Sequence, residues 1–172
     1  MPNSSCSETK PVDSFPCPDD GYWPDLLSCT NYFFCTNSSA YRLDCSAYPN
    51  TVYDQASSMC VPRTQSACYT LVCPAAGAFQ IYKPDPRIYA ACRSTNPADA
   101  VLATCDDGEA FDLTAKDCVP TCLRAGRFAI GTDAKKFNEC VDLGGGRLSK
   151  PTLGECPGIS TFHKSTQRCA AP

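Results

Sequence analysis

One phrase occurs three times along this chain: a cysteine, three residues, a glycine, one residue and a large aromatic, then an aromatic separated by two residues from another cysteine. The copies run Cys17 through Gly21 and Trp23 to Tyr32 and Cys35, Cys73 through Gly77 and Phe79 to Tyr89 and Cys92, and Cys122 through Gly126 and Phe128 to Phe137 and Cys140. Each closes with a further cysteine pair, Cys45 and Cys60, Cys105 and Cys118, Cys156 and Cys169, and Tyr53, Phe111 or Phe162 stands seven positions before the last cysteine. A repeat of about 50 residues built on cysteines specifies an array of small disulfide modules rather than one large core.

Fifteen of the 172 residues are cysteine, with fifteen prolines and ten glycines. That density marks a disulfide scaffold and an oxidising, secretory compartment. A module this small buries too little apolar surface to hold itself together, so bridges must supply the difference, each contributing about 2 to 4 kcal/mol. No apolar run approaches the roughly 20 residues of a membrane span. Residues 1 to 20 lack a signal-peptide apolar region, so residue 1 reads as an artificial start after signal removal. Sequons at Asn3 and Asn37 fit a secreted glycoprotein.

The first module has six cysteines, Cys17, Cys29, Cys35, Cys45, Cys60 and Cys68. Six cysteines allow fifteen pairings, and spacing does not choose among them. The alternation of Tyr41, Leu43 and Cys45 with Arg42 and Asp44 after an Asn-Ser-Ser turn predicts the second arm of a hairpin. Thr51 to Asp54, a polar turn, and Met59 to Val61 predict a second, shorter hairpin.

The first module resembles the peritrophin-A or type 2 chitin-binding domain, carbohydrate-binding module family 14. The resemblance rests on Gly21-Tyr-Trp-Pro-Asp25, Cys29-Thr-Asn-Tyr-Phe-Phe-Cys35, and Thr51-Val-Tyr-Asp54 ahead of Cys60-Val-Pro62. It implies a small disulfide-rich all-β fold, each module a three-stranded plus two-stranded antiparallel unit, and bridges Cys17 to Cys35, Cys29 to Cys68 and Cys45 to Cys60. The later modules carry Pro86 and Ala134 at the position of Cys29 and lack the sixth cysteine. In the family's connectivity those two cysteines are partners, so each later module has shed one whole bridge. The implied remainder is Cys73 to Cys92, Cys105 to Cys118, Cys122 to Cys140 and Cys156 to Cys169. A competing division gives Cys122 to the second module and strands Cys140. Cys6 is left over, either as a thiol in a hydrophilic tail or as a bridge to a second chain. The expected organisation is a flexible tail at 1–16, a six-cysteine chitin-binding-like module at 17–68, and degenerate four-cysteine modules at 69–121 and 122–172.

The implied ligand is chitin, a neutral polymer of N-acetylglucosamine that is read by aromatic planes and a few amides or carboxylates. Trp23, Tyr32 and Tyr53 have aromatic counterparts in every module, whereas Tyr22, Phe33, Phe34 and Tyr48 occur in the first alone and so read as free of fold duty. The family's binding hairpin maps onto Asn50, Tyr53 and Asp54, and the second module retains Phe111 and Asp112. The candidate chitin-binding set is therefore Tyr22, Trp23, Phe33, Tyr48, Asn50, Tyr53, Asp54, Phe111 and Asp112.

Charge divides the chain. Residues 17–68 and 69–118 are each net −3, and 119–172 are net +4. The basic end, with Arg124, Arg127, Lys135, Lys136, Arg147 and Lys150, suits an acidic glycan, a mucin or an acidic neighbour. No catalytic constellation, metal set, cofactor motif or nucleic-acid motif is present in the sequence; His163 is the one histidine, and the repeat cysteines are committed to bridges. Two functions remain: a secreted, non-catalytic chitin-binding protein of a peritrophic matrix, cuticle or egg coat, acting mainly through the first module, or a structural and protein-interaction array whose later modules no longer bind sugar.

Overall fold

The computed structural model describes residues 12, 15–66, 68–131 and 133–171. Cys6 and Asn3 lie outside them. Among the described residues the fold is all-β apart from one 3-10 turn at Pro97–Asp99. The chain forms two compact units, one comprising residues up to Gln80 with Ala90–Thr104 and the other Ile81–Tyr89 with Cys105 onward.

In the first unit, β1 (Gly21–Pro24), β2 (Asn31–Thr36) and β3 (Ser39–Asp44) form an antiparallel sheet in that order. A shorter hairpin follows from β4 (Thr51–Asp54) and β5 (Met59–Pro62). The β2–β3 turn contains only Asn37 and Ser38, at φ 49° and 60°. Two consecutive positive φ values are what a two-residue hairpin turn needs to match strand twist, and asparagine tolerates them best after glycine. The loop of the shorter hairpin closes on Ser58, again at positive φ (54°).

The three-stranded plus two-stranded pattern recurs. Strands β6 (Phe79–Ile81), β7 (Ile88–Ala91) and β8 (Val101–Thr104) make one sheet, and β9 (Glu109–Asp112) pairs with β10 (Asp117–Pro120). In the last part β11 (Gly126–Ile130), β12 (Asp133–Cys140), β13 (Asp142–Gly144), β14 (Arg147–Leu148), β15 (Thr152–Glu155), β16 (Thr161–His163) and β17 (Arg168–Ala170) follow, with sheet order β11-β12-β15 and hairpins β13-β14 and β16-β17. The β13-β14 hairpin is an addition to the expected pattern. Gly145 and Gly146 form its turn and Gly144 ends the strand before it, all three at positive φ, a conformation that glycine adopts without the Cβ penalty.

All seven bridges are those implied by the resemblance, with Cα separations of 5.5 to 5.7 Å. Backbone hydrogen bonds establish the correspondence between copies independently of cysteine spacing. The amide of Tyr53 donates to Cys29 O, and that of Phe111 donates to Pro86 O. The proline that replaces Cys29 therefore keeps its carbonyl in the same role, since that acceptor needs no thiol and no N–H.

The thin core joins the two hairpins of each copy. Tyr32 stacks on Tyr53 (centroids 4.7 Å apart), Tyr89 on Phe111 (3.9 Å) and Phe137 on Phe162 (5.0 Å). Tyr53, Phe111 and Phe162 are buried, as are the adjoining half-cystines Cys45, Cys105 and Cys156. One aromatic sandwich beside one bridge thus serves as the nucleus of each small unit.

Candidate functional site

Side chains of β2 alternate between two faces of its sheet. Phe33 and Cys35 point to the covered face and are 4 % and 0 % exposed. Tyr32 and Phe34 take the other. Register places Tyr22, Phe34 and Tyr41 side by side across the three strands, and Pro24, Tyr32 and Leu43 in the next parallel row. The rings make a continuous ribbon: Tyr22 lies 5.1 Å from Phe34 and 6.1 Å from Tyr32, which in turn rests on Tyr53. Tyr22 is 46 % exposed, while Tyr32, Phe34 and Tyr41 are half-buried. Partial burial with an open edge gives rigid rings at low entropic cost, the form that stacks on a flat sugar face.

At the end of the sheet where Asn31 pairs with Asp44 is a groove of about 430 Å³ lined by Asn31, Asp44, Tyr48, Asn50, Thr51 and Arg63 among others. Tyr48 is 65 % exposed at its edge. Hydrogen bonds from Ser46 hold the Asp44 carboxyl below its ordinary pKa. Burial, followed by the neighbouring Tyr22 and Asp44, pushes the Tyr32 phenol up, so it stays a neutral hydroxyl donor.

The expected residues divide into those that face solvent and those that do not. Tyr22, Tyr48 and Asn50 are exposed. Asn50 also has a backbone role, since it sits at φ 59° and its counterpart in the next copy is Gly108 at φ 81°. Trp23 is 8 % exposed, with its indole N–H donating to Asp19 O. Phe33 is buried as well, its ring stacked on Phe15 at 4.4 Å. Tyr53 and Phe111, at 6 % and 5 % exposure, are spent on their stacks and offer no open face. Asp54 accepts from the amide and hydroxyl of Ser57 on one oxygen and from Ser66 on the other. Asp112 accepts from the amides of Thr114 and Ala115. Both carboxylates organise hairpin turns, the usual local role of an aspartate there.

Tyr32, one of the aromatics common to all copies, and Tyr41, on the second arm of the hairpin, are ribbon members that sequence comparison of the copies does not assign to binding. Strand register was the missing signal. Once Cys35 is placed inward, alternation puts Tyr32 and Phe34 on the opposite face, and the two-residue turn pairs Phe34 with Tyr41.

The same face is rebuilt in the later copies. Where the first has Tyr22, Phe34 and Tyr41, the second has Phe79, Ala91 and Val101, because Ala78 faces Cys92 through the Cys92 amide and shifts the strand by one residue. The third has Arg127, Glu139 and Thr152 in register, with Arg127 Nε 2.7 Å from Glu139 and its guanidinium 5.2 Å from the Phe137 ring centroid. Other basic residues of the last segment are also engaged: Arg124 with Asp107, Lys136 with Asp133, and Lys135 with the Gly158 carbonyl. Arg147 and Lys150 are exposed.

No curated protein matches this chain. Residues 17–68 match the family model described as the chitin binding Peritrophin-A domain, and that span holds the six-cysteine unit and the aromatic ribbon.

Proposed function

We propose that this is a secreted, non-catalytic chitin-binding protein of an extracellular matrix, and that chitin is bound mainly by residues 17–68. The supporting observation is the cross-strand ribbon Tyr22, Phe34 and Tyr41 with Tyr32 beside it. Alternate rings along it give a chito-oligosaccharide stacking surfaces, and Tyr48, Asn50 and Asp44 at the adjoining groove supply hydrogen-bonding groups for acetamides and hydroxyls. The same row keeps one ring in the second copy, Phe79 with Ala91 and Val101, and has an ion-paired Arg127 and Glu139 in the third, which argues against a continuous stacking ribbon in the later segments. Seven bridges suit an oxidising extracellular setting.

A second role for residues 69–172 is favoured by that change in the row: a structural or protein-interaction array that sets the spacing of the sugar-binding unit. Arg147 and Lys150, exposed in the net positive segment, are the groups available to an acidic glycan or mucin.

Retention of the full chain on insoluble chitin tests the reading. Tyr22→Ala and Tyr41→Ala are expected to lose retention with melting temperature unchanged. Undiminished retention of the double variant would remove the ribbon from the binding surface.

A further inference from the structure

The sequon Asn37-Ser38-Ser39 occupies the tip of the β2–β3 hairpin. Asn37 is exposed and its backbone N–H is held by Asp20 Oδ1 at 3.0 Å. The tip is also one end of the aromatic ribbon. Thr36 pairs with Ser39, and Phe34 with Tyr41, so Asn37 stands three residues beyond the Phe34 row, about 10 Å along a strand. An N-linked glycan begins with two β-1,4-linked N-acetylglucosamines, the repeating disaccharide of chitin. A glycan on Asn37 would therefore tether the ribbon's own ligand chemistry at the ribbon's end.

We propose that Asn37 is N-glycosylated and that the first two sugars of its glycan fold back onto Tyr22, Phe34 and Tyr41, competing in cis with chitin. This rests on the sugar-binding reading of the ribbon given above. In the modification, Nδ2 of Asn37 attacks C1 of the first N-acetylglucosamine of a lipid-diphosphate-linked oligosaccharide. The C1–O bond to the diphosphate breaks, the lipid diphosphate leaves with the electron pair, and the amide nitrogen gives up one proton. Tethering places the disaccharide at an effective concentration in the millimolar range. That is enough to occupy a site with weak affinity for short sugars, yet a longer chitin chain that also reaches Tyr32 and the Tyr48 groove displaces it. The glycan thus raises the chain length at which the protein commits to a polymer.

Full-length protein made in a glycosylating eukaryotic host, in an Asn3→Gln background, is compared with its Ser39→Ala variant, which removes the sequon and leaves the turn asparagine in place. Glycopeptide mass spectrometry is expected to find a glycan at Asn37. Titration with chitotriose is expected to be about two- to tenfold weaker for the glycosylated form, with the difference shrinking for chitohexaose. Acetyl methyl signals of the attached core should show ring-current shifts that Tyr22→Ala abolishes. An unmodified Asn37, or equal chitotriose affinity in both forms, would overturn the proposal while leaving the ribbon as a sugar site. Failure of the Ser39→Ala protein itself to bind chitohexaose would overturn both.

Discussion

Phe15 and Phe33 lie face to face, their ring centroids 4.4 Å apart and their planes 11° from parallel. Both are 4 % exposed. Phe33→Ala would leave a cavity on the covered side of the first sheet, against Phe15 and near Leu71. A cost of about 3 kcal/mol is expected, read as a drop in denaturant midpoint without reducing agent. A midpoint within error of wild type would mean that the ring is not part of the core.

Phe33 shows why comparing copies misleads. Its counterparts Ala90 and Asn138 are small or polar, which suggests a position the fold does not use. Yet they are 1 % and 6 % exposed: the position is inward every time, and only the filling differs. In the first copy it is filled from the N-terminal segment by Phe15, a residue that precedes the repeat and has no counterpart within it. Residues that repeat with their partners, such as Tyr32 with Tyr53 and the cysteines, were legible for that reason. The β13-β14 hairpin and the ribbon were not. One is an insertion into the repeat, and the other emerges only when strand register sets Tyr22, Phe34 and Tyr41 in one row.

The Tyr53 hydroxyl is buried without a hydrogen-bond partner among the described residues. Burial is the largest cause of its raised pKa, and Ser58 acts the other way without reaching hydrogen-bonding geometry. The equivalent residues are Phe111 and Phe162, which keep the stack and omit the oxygen. Tyr53→Phe should therefore raise stability by about 1 kcal/mol, since an unmade buried hydrogen bond costs its desolvation. Thermal unfolding of the variant checks this, and a lower melting temperature would show that the hydroxyl is bonded after all.

Asp25, 3 % exposed, receives Nε and Nη2 of Arg42 on one oxygen, at 3.0 and 2.7 Å, and the amide of Leu27 on the other. At these positions the later copies carry Tyr82 and Leu102, then Ile130 and Leu153. Arg42→Leu alone should cost about 1 to 3 kcal/mol, because it leaves a buried carboxylate short of its partner. Asp25→Ile with Arg42→Leu should recover most of that loss. A double variant no better than the single would mean that Asp25 matters through its bond to Leu27 rather than through the ion pair.

Acid should loosen the short hairpins. Asp54 is held below its ordinary pKa first by the Ser57 hydroxyl and then by Ser66, and Asp112 first by the Ala115 amide and then by that of Thr114. A carboxyl whose folded pKa is depressed adds stability above its unfolded value of about 3.9 and loses it as pH falls through the folded value. The melting temperature is expected to be level from pH 7 to about 5 and to fall below about 4. In Asp54→Asn with Asp112→Asn that fall should be shallower. An unchanged acid slope would assign it to other carboxylates.

Cys29 to Cys68 is the bridge that the later copies lack. It closes the longest loop of the seven, with a sequence separation of 39, so on loop entropy its removal should cost about 4 kcal/mol. Its mechanical role, though, is duplicated. The Cys29 carbonyl accepts from Tyr53 whether or not its sulfur is bonded, as Pro86 does for Phe111. Cys17 to Cys35 still ties the chain before β1 to β2, and Cys45 to Cys60 still holds the short hairpin. Cys29→Ala with Cys68→Ala should therefore lower the melting temperature yet leave a cooperative unfolding transition and the Tyr32–Tyr53 stack intact, visible as retained near-ultraviolet circular dichroism. Loss of that signal at 25 °C would mean that the first copy, unlike the two that follow it, depends on its third bridge to fold.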